Sequence, residues 1–202
     1  RTALAHRLFR PVHRIGPVPP GAARVRLGEV ATLSTTAFKV EAEQEYLSLG
    51  VKWYGAGVFA REAKLGRDIR ATHLRRVRAG QFIYNRMFAV EGSFGLVPHD
   101  LAHGVVSNEF PTYELDSSRV VPEWLAMYFQ DEFALKRVEG EVTGVERGSM
   151  KARRRWKEDR FEAFEIDLPP LEVQHEVVDI LGGIASLESA LSSELGQRRK
   201  QL

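Results

Sequence analysis

VERGSMKARRRWKEDRFEAFEIDLPPLEVQ, residues 145–174, is the most informative segment of the sequence. Its first half is a dense cationic run that contains Trp156, and we expect the charges and the large flat ring to share one surface element. Three adjacent arginines repel one another unless acids or a polyanion neutralise them, so the run favours a nucleic-acid surface over a merely solvated face. Glu158 and Asp159 neutralise it in part. The cationic residues are Arg147, Lys151, Arg153, Arg154, Arg155, Lys157 and Arg160.

The second half of this stretch predicts a strand that ends at a stiff corner. FEAFEIDL, residues 161–168, places its apolar residues near one face, which is typical of a half-buried strand. Pro169 and Pro170 end the strand, because proline has no backbone donor, and the second proline can occupy the first turn of a helix. The apolar residues are Phe161, Phe164, Ile166 and Leu168.

Residues 171–202 predict a long helix with a coiled-coil seam. Apolar residues recur at alternating spacings of three and four until the pattern slips at Glu194 and Leu195. We expect this helix to pair with another helix. The predicted dimerisation residues are Val177, Ile180, Ile184, Leu187 and Leu191.

Two blocks of the chain resemble a known family. Gly148 and Arg153 begin the pattern, and residues 156–174 continue it as W-x-x-D-x-F-x-x-x-x-I-x-L-P-P-L-E-x-Q. With the heptad helix, this block resembles the end of a target recognition domain in the DNA specificity subunits of type I restriction-modification systems. The upstream block VRAGQFIYNRMFAVEGSFGLVPHDLAHGVVSNEFPTYELD, residues 77–116, resembles the middle of the same domain. Val173 and Gln81 depart from the family pattern, which usually has glutamate and aspartate there.

The resemblance implies an α/β (α+β) target recognition domain with a twisted mixed or antiparallel sheet, followed by a long coiled-coil helix. Residues 1–23 would be the remnant of a helical arm with a proline-rich linker, residues 24–168 the recognition domain, and residues 169–202 the dimerisation and spacer helix. Such a subunit is non-catalytic and cytoplasmic, and it binds no cofactor itself.

The resemblance also implies the partners. The domain would read one half of a bipartite site in double-stranded DNA, and the paired helices would fix the gap between the two halves. The subunit would pair with a second specificity half or with itself. It would dock modification subunits, which carry S-adenosylmethionine and methylate adenine, and through them a restriction subunit.

A glycine-rich segment is the best candidate for base recognition. EYLSLGVKWYGAGVFAREAKLGRD, residues 45–68, predicts a strand and a loop that offers aromatic and cationic side chains outward, and residues 86–94 are a second candidate loop. The open alternative is that Trp53 and Tyr54 cover the core. The predicted DNA-binding residues in these two segments are Lys52, Tyr54, Arg61, Lys64 and Arg86, whereas Arg147, Lys151, Arg153, Arg154, Arg155 and Lys157 are expected to contact phosphates.

Further elements follow from the same patterns. FIYNRMFAV, FGLVP, GVVS and FPTYEL predict consecutive strands of a meander or twisted sheet, with turns between them. VVPEWLAMYFQDEFALKRVEG, residues 120–140, predicts one amphipathic helix that starts at Pro122 and buries its aromatic face in the core.

Composition bounds the function without choosing it. The chain has 202 residues, 44% of them hydrophobic and 28% charged, which is ordinary for a globular protein. A net charge of +2 means that any nucleic-acid surface must come from the placement of charge. The absence of cysteine excludes disulfides and thiol catalysis. No apolar run approaches the roughly 18 residues of a membrane helix. The chain begins with Arg1, and we expect the native start to lie upstream.

Enzyme classes have little support in the sequence. His99 and His103 have the spacing of a zincin pair, but Asp100 replaces the glutamate base, and Pro98 and Gly104 favour a loop. A P-loop and a nucleophile elbow are both missing from the sequence. Two alternatives stay open: a small metal-dependent nuclease or phosphodiesterase that uses the His99–His103 loop, and a non-catalytic oligomeric scaffold.

Overall fold

A computed structural model describes residues 21–142 and 155–200 of the chain. The predicted helical arm and nearly all of its linker therefore lie outside the described residues. So do Arg147, Lys151, Arg153 and Arg154, the larger part of the cationic run. Arg155, Trp156 and the residues that follow them lie inside.

The described chain is a mixed α/β structure with short strands and few helices. The strands are β1 (Ala23–Arg26), β2 (Ala31–Leu33), β3 (Ala37–Lys39), β4 (Glu45–Tyr46), β5 (Leu49–Val51), β6 (Val58–Ala60), β7 (Lys64–Leu65), β8 (His73–Arg76), β9 (Phe82–Tyr84), β10 (Phe94–Leu96), β11 (Val105–Val106), β12 (Thr112–Leu115) and β13 (Glu165–Leu168). The α-helices are α1 (Pro122–Tyr128), α2 (Glu132–Glu141), α3 (Glu158–Ala163) and α4 (Leu171–Lys200). Single 3-10 turns cover Leu27–Glu29, Gly66–Asp68 and His99–Leu101.

The strands form several small antiparallel sheets. A four-stranded sheet has the order β10-β9-β12-β2, and a three-stranded sheet has the order β11-β8-β3. Pairs β4-β7 and β5-β6 are separate, and β13 returns to pair with β1, with Ala23 opposite Leu168. The mixed α/β class with antiparallel sheets is thus confirmed.

The predicted meander is corrected in two respects. Strands β9, β10 and β12 share one sheet, but β11 pairs with β8 in another. The predicted strand FIYNRMFAV ends at Tyr84, because the Asn85 side chain accepts a hydrogen bond from the Met87 N–H at 3.0 Å and turns the chain.

The predicted strand over FEAFEIDL is also shorter than expected. Residues 158–163 form helix α3, and only Glu165–Leu168 form strand β13. The two acids Glu158 and Asp159 lie in the first turn of α3, where the helix dipole favours negative charge. The four apolar residues of this stretch are buried as predicted. A spacing of three between Phe161 and Phe164 suits a helical turn, whereas Phe164, Ile166 and Leu168 alternate as in a strand.

The predicted single helix after Pro122 is two helices. Helix α1 ends at Tyr128, and α2 begins after Asp131. The Asp131 carboxylate accepts hydrogen bonds from the N–H groups of Phe133 at 2.9 Å and Ala134 at 3.2 Å, so it caps α2. The aromatic face is nevertheless core, since Trp124, Tyr128 and Phe129 are fully buried.

Trp156 lies at the centre of the main core, not on the surface as the sequence suggested. Its side chain is fully buried, and five aromatic rings surround it with centroids 5.3 to 5.9 Å away. Aromatic burial contributes a large packing area. One ring in a charged segment can therefore be buried in the core while its neighbours remain at the surface. The rings are those of Tyr84, Phe94, Phe129, Phe161 and Phe164.

Three tyrosines belong to this core. Burial raises the pKa of Tyr84, Tyr113 and Tyr128 above the usual value, since a phenolate would lose its hydration there. The charge of nearby Glu158 adds to the effect on the pKa of Tyr84 and Tyr113.

Helix α4 begins against the body and extends beyond it. Leu171, Val177, Val178 and Leu181 are partly buried against the main core. Two residues of the predicted seam are exposed, Ile180 by 43% and Leu187 by 65%. Pairing through this seam stays a prediction. Within the described part of the chain, every helix is either too short or too polar to span a membrane.

Candidate nucleic-acid interface

Strands β5 and β6 form a hairpin whose loop, residues 52–57, projects beside the four-stranded sheet. The Lys52 N–H donates to the Gly57 carbonyl at 2.9 Å and closes the loop. The tip is tied to its neighbour, because the N–H of Tyr54 donates to Glu91 at 2.9 Å and that of Gly55 donates to Gly92 at 2.8 Å. The tip is thereby held in a defined position.

Two aromatic rings stand at this tip. Trp53 is 48% exposed and Tyr54 is 77% exposed. The alternative that both rings cover the core is therefore wrong for Tyr54, while about half of the Trp53 side chain is covered. The Trp53 ring lies against Phe88, with centroids 5.2 Å apart. Tyr54 has φ +57°, which among the described residues is the sole positive φ outside glycine. Such backbone strain persists where the surroundings enforce it, and it concentrates at functional sites.

A cleft of about 570 Å³ opens beside the hairpin. It runs between β6 and β7 on one side and the loops after β9 and β11 on the other. Arg61 and Lys64 line it, and neither forms an ion pair with any residue in the described ranges. The Arg61 guanidinium and the Lys52 ammonium both lie over the Phe59 ring, 5.7 and 5.9 Å from its centroid. Cation–π contacts with the Phe59 ring therefore help to position both cations.

The lining of the cleft mixes donors and acceptors. Its polar side chains also include Glu62, Asp68, Asn85, Ser107 and Glu109. Three carboxylates in this set disfavour a phosphate inside the cleft. Arginine, asparagine and carboxylate side chains are instead the groups that hydrogen-bond base edges. The arrangement therefore fits base recognition better than phosphate binding.

A chain of ion pairs connects this cleft to the end of the cationic run. Arg86 donates from Nη1 to both oxygens of Glu158, at 3.1 and 3.0 Å, and its Nη2 lies 3.5 Å from Glu109. Burial alone would lower the pKa of the Arg86 guanidinium, but hydrogen bonds and charges from Glu158 and Glu109 outweigh it and raise the pKa. Arg155 donates from Nε to Glu109 at 3.2 Å. One carboxylate thus holds two arginines.

The structure sorts the predicted DNA-binding residues into groups. Lys52 and Tyr54 lie on the loop of the hairpin, and Arg61 and Lys64 line the neighbouring cleft. Arg86 is only 16% exposed and, like Arg155, is neutralised by acids of the body. Lys157 is exposed at the start of α3. Contact of any of these residues with DNA stays a prediction, and the remaining four cations lie outside the described residues.

Sequence reasoning missed the residues that organise the site. No local sequence pattern indicates a role for Glu109, because its partner Arg155 lies 46 positions away. Asn85 belongs to the block of residues 77–116 that resembles the middle of the domain, but no local pattern indicates its near-complete burial beside the cleft.

The histidine loop has no metal-binding geometry in the described part of the chain. His99 begins a 3-10 turn, and His103 lies beyond it, both exposed. Across residues 21–142 and 155–200, no group of three or more His, Cys, Asp or Glu side chains is placed to hold a metal ion.

Comparison with known proteins finds matches by structure but not by sequence. The sequence matches no family model and no curated protein. The structure does match solved proteins: the crystal structure of the HsdS subunit from Thermoanaerobacter tengcongensis aligns with a TM-score of 0.60 and 19% identity over 95% of this chain. The chain has the fold of about half of an HsdS subunit.

A second solved structure supports the same conclusion. It comes from a structure that describes complex assembly and conformational transition of the type I R-M system, with a TM-score of 0.60 and 17% identity over 96% of this chain. The predicted resemblance to type I specificity subunits is thereby confirmed at the level of fold. The chain spans less than half of either match, 45% of the HsdS subunit and 46% of the second chain.

Proposed function

We propose that this chain is a DNA specificity subunit, or one half of one, in a type I restriction-modification system. It reads one half of a bipartite site in double-stranded DNA and has no catalytic role of its own. The observation that carries the proposal is the HsdS fold over 95% of the chain.

Base recognition belongs to the hairpin and the cleft in this proposal. The tip residues Trp53 and Tyr54 are exposed and backed by hydrogen bonds to the neighbouring loop. Their flat faces offer stacking, and Arg61 and Lys64 in the neighbouring cleft offer hydrogen bonds to base edges in a groove. Their fixed position suits sequence readout, because contacts with bases discriminate only when the side chains are held in register.

Phosphate contacts belong to the cationic run. Arg147, Lys151, Arg153, Arg154 and Lys157 supply charge on one short segment, and its exit is fixed to the body through Arg155 and Glu109. Each phosphate contact releases counterions, so this segment sets the salt dependence of affinity and adds no base preference.

The helix and the partner proteins complete the proposal. Helix α4 has 30 residues, which corresponds to about 45 Å at 1.5 Å per residue. Paired with a second such helix, it would set the gap between two recognition domains. Modification subunits would supply S-adenosylmethionine and adenine methylation, and a restriction subunit would join through them.

A selection experiment tests the proposal. The purified chain is mixed with random duplex DNA at several salt concentrations, and the bound fraction is sequenced. We expect enrichment of a short motif and an affinity that falls steeply with salt. Binding without salt dependence would contradict the proposal and favour the scaffold alternative. DNA cleavage by the chain with a divalent metal would favour the nuclease alternative.

A second arm tests the partners. The chain is co-expressed with the modification subunits of its own genome, and methylated adenines are mapped by sequencing. Methylation at one bipartite motif is the expected result. Methylation that does not depend on the chain would contradict the proposed role as specificity subunit.

A further inference from the structure

One polar side chain is buried where helix α4 leaves the body. Gln174 is fully buried, and its amide makes hydrogen bonds on both ends. Its Oε1 accepts from the Val121 N–H at 2.8 Å, and its Nε2 donates to the carbonyls of Arg119 at 2.9 Å and Pro169 at 2.8 Å. The three partners of the Gln174 amide are all backbone groups.

These backbone groups belong to different parts of the chain. Val121 precedes the first residue of α1, Arg119 lies in the turn before it, and Pro169 is the corner that follows β13. The Gln174 side chain therefore joins the start of α4 to α1 and to the proline corner at a single point.

The other contacts at this junction are of a different kind. Leu171, Val177, Val178 and Leu181 pack against the main core through apolar surface. Apolar packing and the Pro169-Pro170 corner hold the helix near one crossing angle with a wide scatter, whereas hydrogen bonds weaken steeply when they bend. The three hydrogen bonds of Gln174 therefore add the sharpest directional constraint on the angle and the rotation of α4.

A small change of angle has a large effect at the far end of the helix. From Gln174 to Lys200 the helix extends by about 39 Å at 1.5 Å per residue. A tilt of roughly 10° would move its end by about 7 Å, which is the length of about two base steps at 3.4 Å each.

We propose that Gln174 is a positioning residue that fixes the direction in which α4 leaves the body, and through it the spacing between the half-sites that the assembly accepts. The second part of this statement rests on the proposed function. The first part concerns the isolated chain and can be tested without DNA.

Distances between two spin labels test the direction of the helix. The chain has no cysteine, so Lys39→Cys on β3 and Ser186→Cys on α4 give two labelled sites at exposed positions. Labelled chains are diluted into unlabelled chains, so that pairing adds no second distance. The variant is Gln174→Met, which keeps the length of the side chain and removes its hydrogen bonds. His175→Met places the same residue at the next, exposed position as the matched control.

We expect a narrow distance distribution for the parent and for His175→Met, and a shifted or at least twofold broader one for Gln174→Met. Circular dichroism should show the body still folded, with a lower melting temperature. If Gln174→Met does not fold, Gln174→Glu is measured, because it keeps an acceptor for Val121 and loses both donated bonds. An unchanged distribution in a folded variant overturns the proposal. Loss of the folded body in both variants also overturns it, because Gln174 would then stabilise the body and not position the helix.

Spacer selection tests the consequence for DNA. The chain is assembled with its modification subunits, and methylation is measured on duplexes whose half-sites are separated by gaps of different length. We expect the Gln174→Met assembly to methylate neighbouring gap lengths at least threefold more, relative to the preferred one, with unchanged half-site bases. An equally sharp gap preference would overturn this step. If the parent assembly itself selects no bipartite site, the proposed function fails, whereas the label distances still decide the role of Gln174.

Discussion

Glu109 holds Arg155, the last of the three adjacent arginines in the cationic run, with Arg155 Nε 3.2 Å from Glu109 Oε2. The same carboxylate lies 3.5 Å from Arg86 and lines the cleft beside the hairpin. The body thus neutralises one end of its own cationic segment and fixes the place from which that segment leaves. Arg155 and Arg86 are part of the framework, and free charge for a polyanion must come from other cations.

Glu109→Gln should raise affinity for duplex DNA of any sequence by about two- to fivefold at low salt. The substitution removes a negative charge and releases Arg155, and each new phosphate contact steepens the salt dependence by about 0.9 in logarithmic slope. Fluorescence anisotropy over a salt series measures both quantities. Glu114→Gln is the control, since it breaks the ion pair with Arg78 without lining the cleft. Equal effects of the two substitutions would contradict this role of Glu109.

The two tryptophans Trp156 and Trp53 should differ sharply in their effect on stability. Trp156→Ala removes the fully buried ring at the centre of the core and should lower the free energy of unfolding by about 3–5 kcal/mol. Trp53→Ala, at a half-exposed ring, should change it by at most about 1 kcal/mol. Urea unfolding followed by circular dichroism measures both. Similar losses would show that the assignment of Trp156 to the core is wrong.

Tyr54→Gly should change the preference between DNA sequences with little effect on the fold. Glycine adopts φ +57° without strain, so the loop is expected to keep its shape while the exposed ring is lost. Competition binding with the selected motif and with single-base variants measures the preference, and we expect Arg61→Gln to act similarly. Arg153→Gln and Arg154→Gln should instead weaken binding to all sequences and flatten the salt dependence. The same pattern from both groups would refute the division between base and phosphate contacts.

Alkaline pH should destabilise the fold through the buried tyrosines. The pKa of Tyr84, Tyr113 and Tyr128 is raised in the folded chain above the value of about 10 that an unfolded chain has. The folded state therefore keeps these protons, and their contribution to stability is complete below about pH 10 and is lost as pH rises toward the raised folded values. Urea midpoints between about pH 8 and pH 11 measure this. Tyr113→Phe removes one titrating group and should make the loss shallower; an unchanged slope would count against the assignment.

Glutamate at two seam positions of α4 should prevent helix pairing and leave the body folded. Leu187 is 65% exposed and Ile184 is half-buried, so Ile184→Glu with Leu187→Glu removes two apolar residues from the predicted seam. Light scattering should show a smaller mass in solution, while the melting temperature of the body stays within a few degrees. Ser186→Glu, between the two sites and off the seam, is the control. An unchanged mass in the double variant would refute pairing through this seam.

Local patterns in the sequence were sufficient for several elements. The Pro169-Pro170 corner ends β13, and the apolar residues of 161–168 are all buried, because proline lacks a donor and apolar residues recur at short spacing. The exposed loop of the β5-β6 hairpin, residues 52–57, follows from the glycines and aromatic residues in one segment. The spacing of three between Phe161 and Phe164 fits the helical turn of α3 and not the predicted strand, and periodicity did not indicate the Asp131 cap that divides the helix after Pro122.

By itself, the sequence determined the class of fold, the corner, the burial of the aromatic face and the family resemblance, since each depends on residues close together in the chain. Only the tertiary structure decided which charges remain available and what directs α4. Arg86 meets Glu158 across 72 positions, Arg155 meets Glu109 across 46, and Gln174 meets Val121 across 53. Hydrogen bonds and ion pairs act over a few ångströms, so their partners are set by how the sheets and helices pack and not by spacing along the chain.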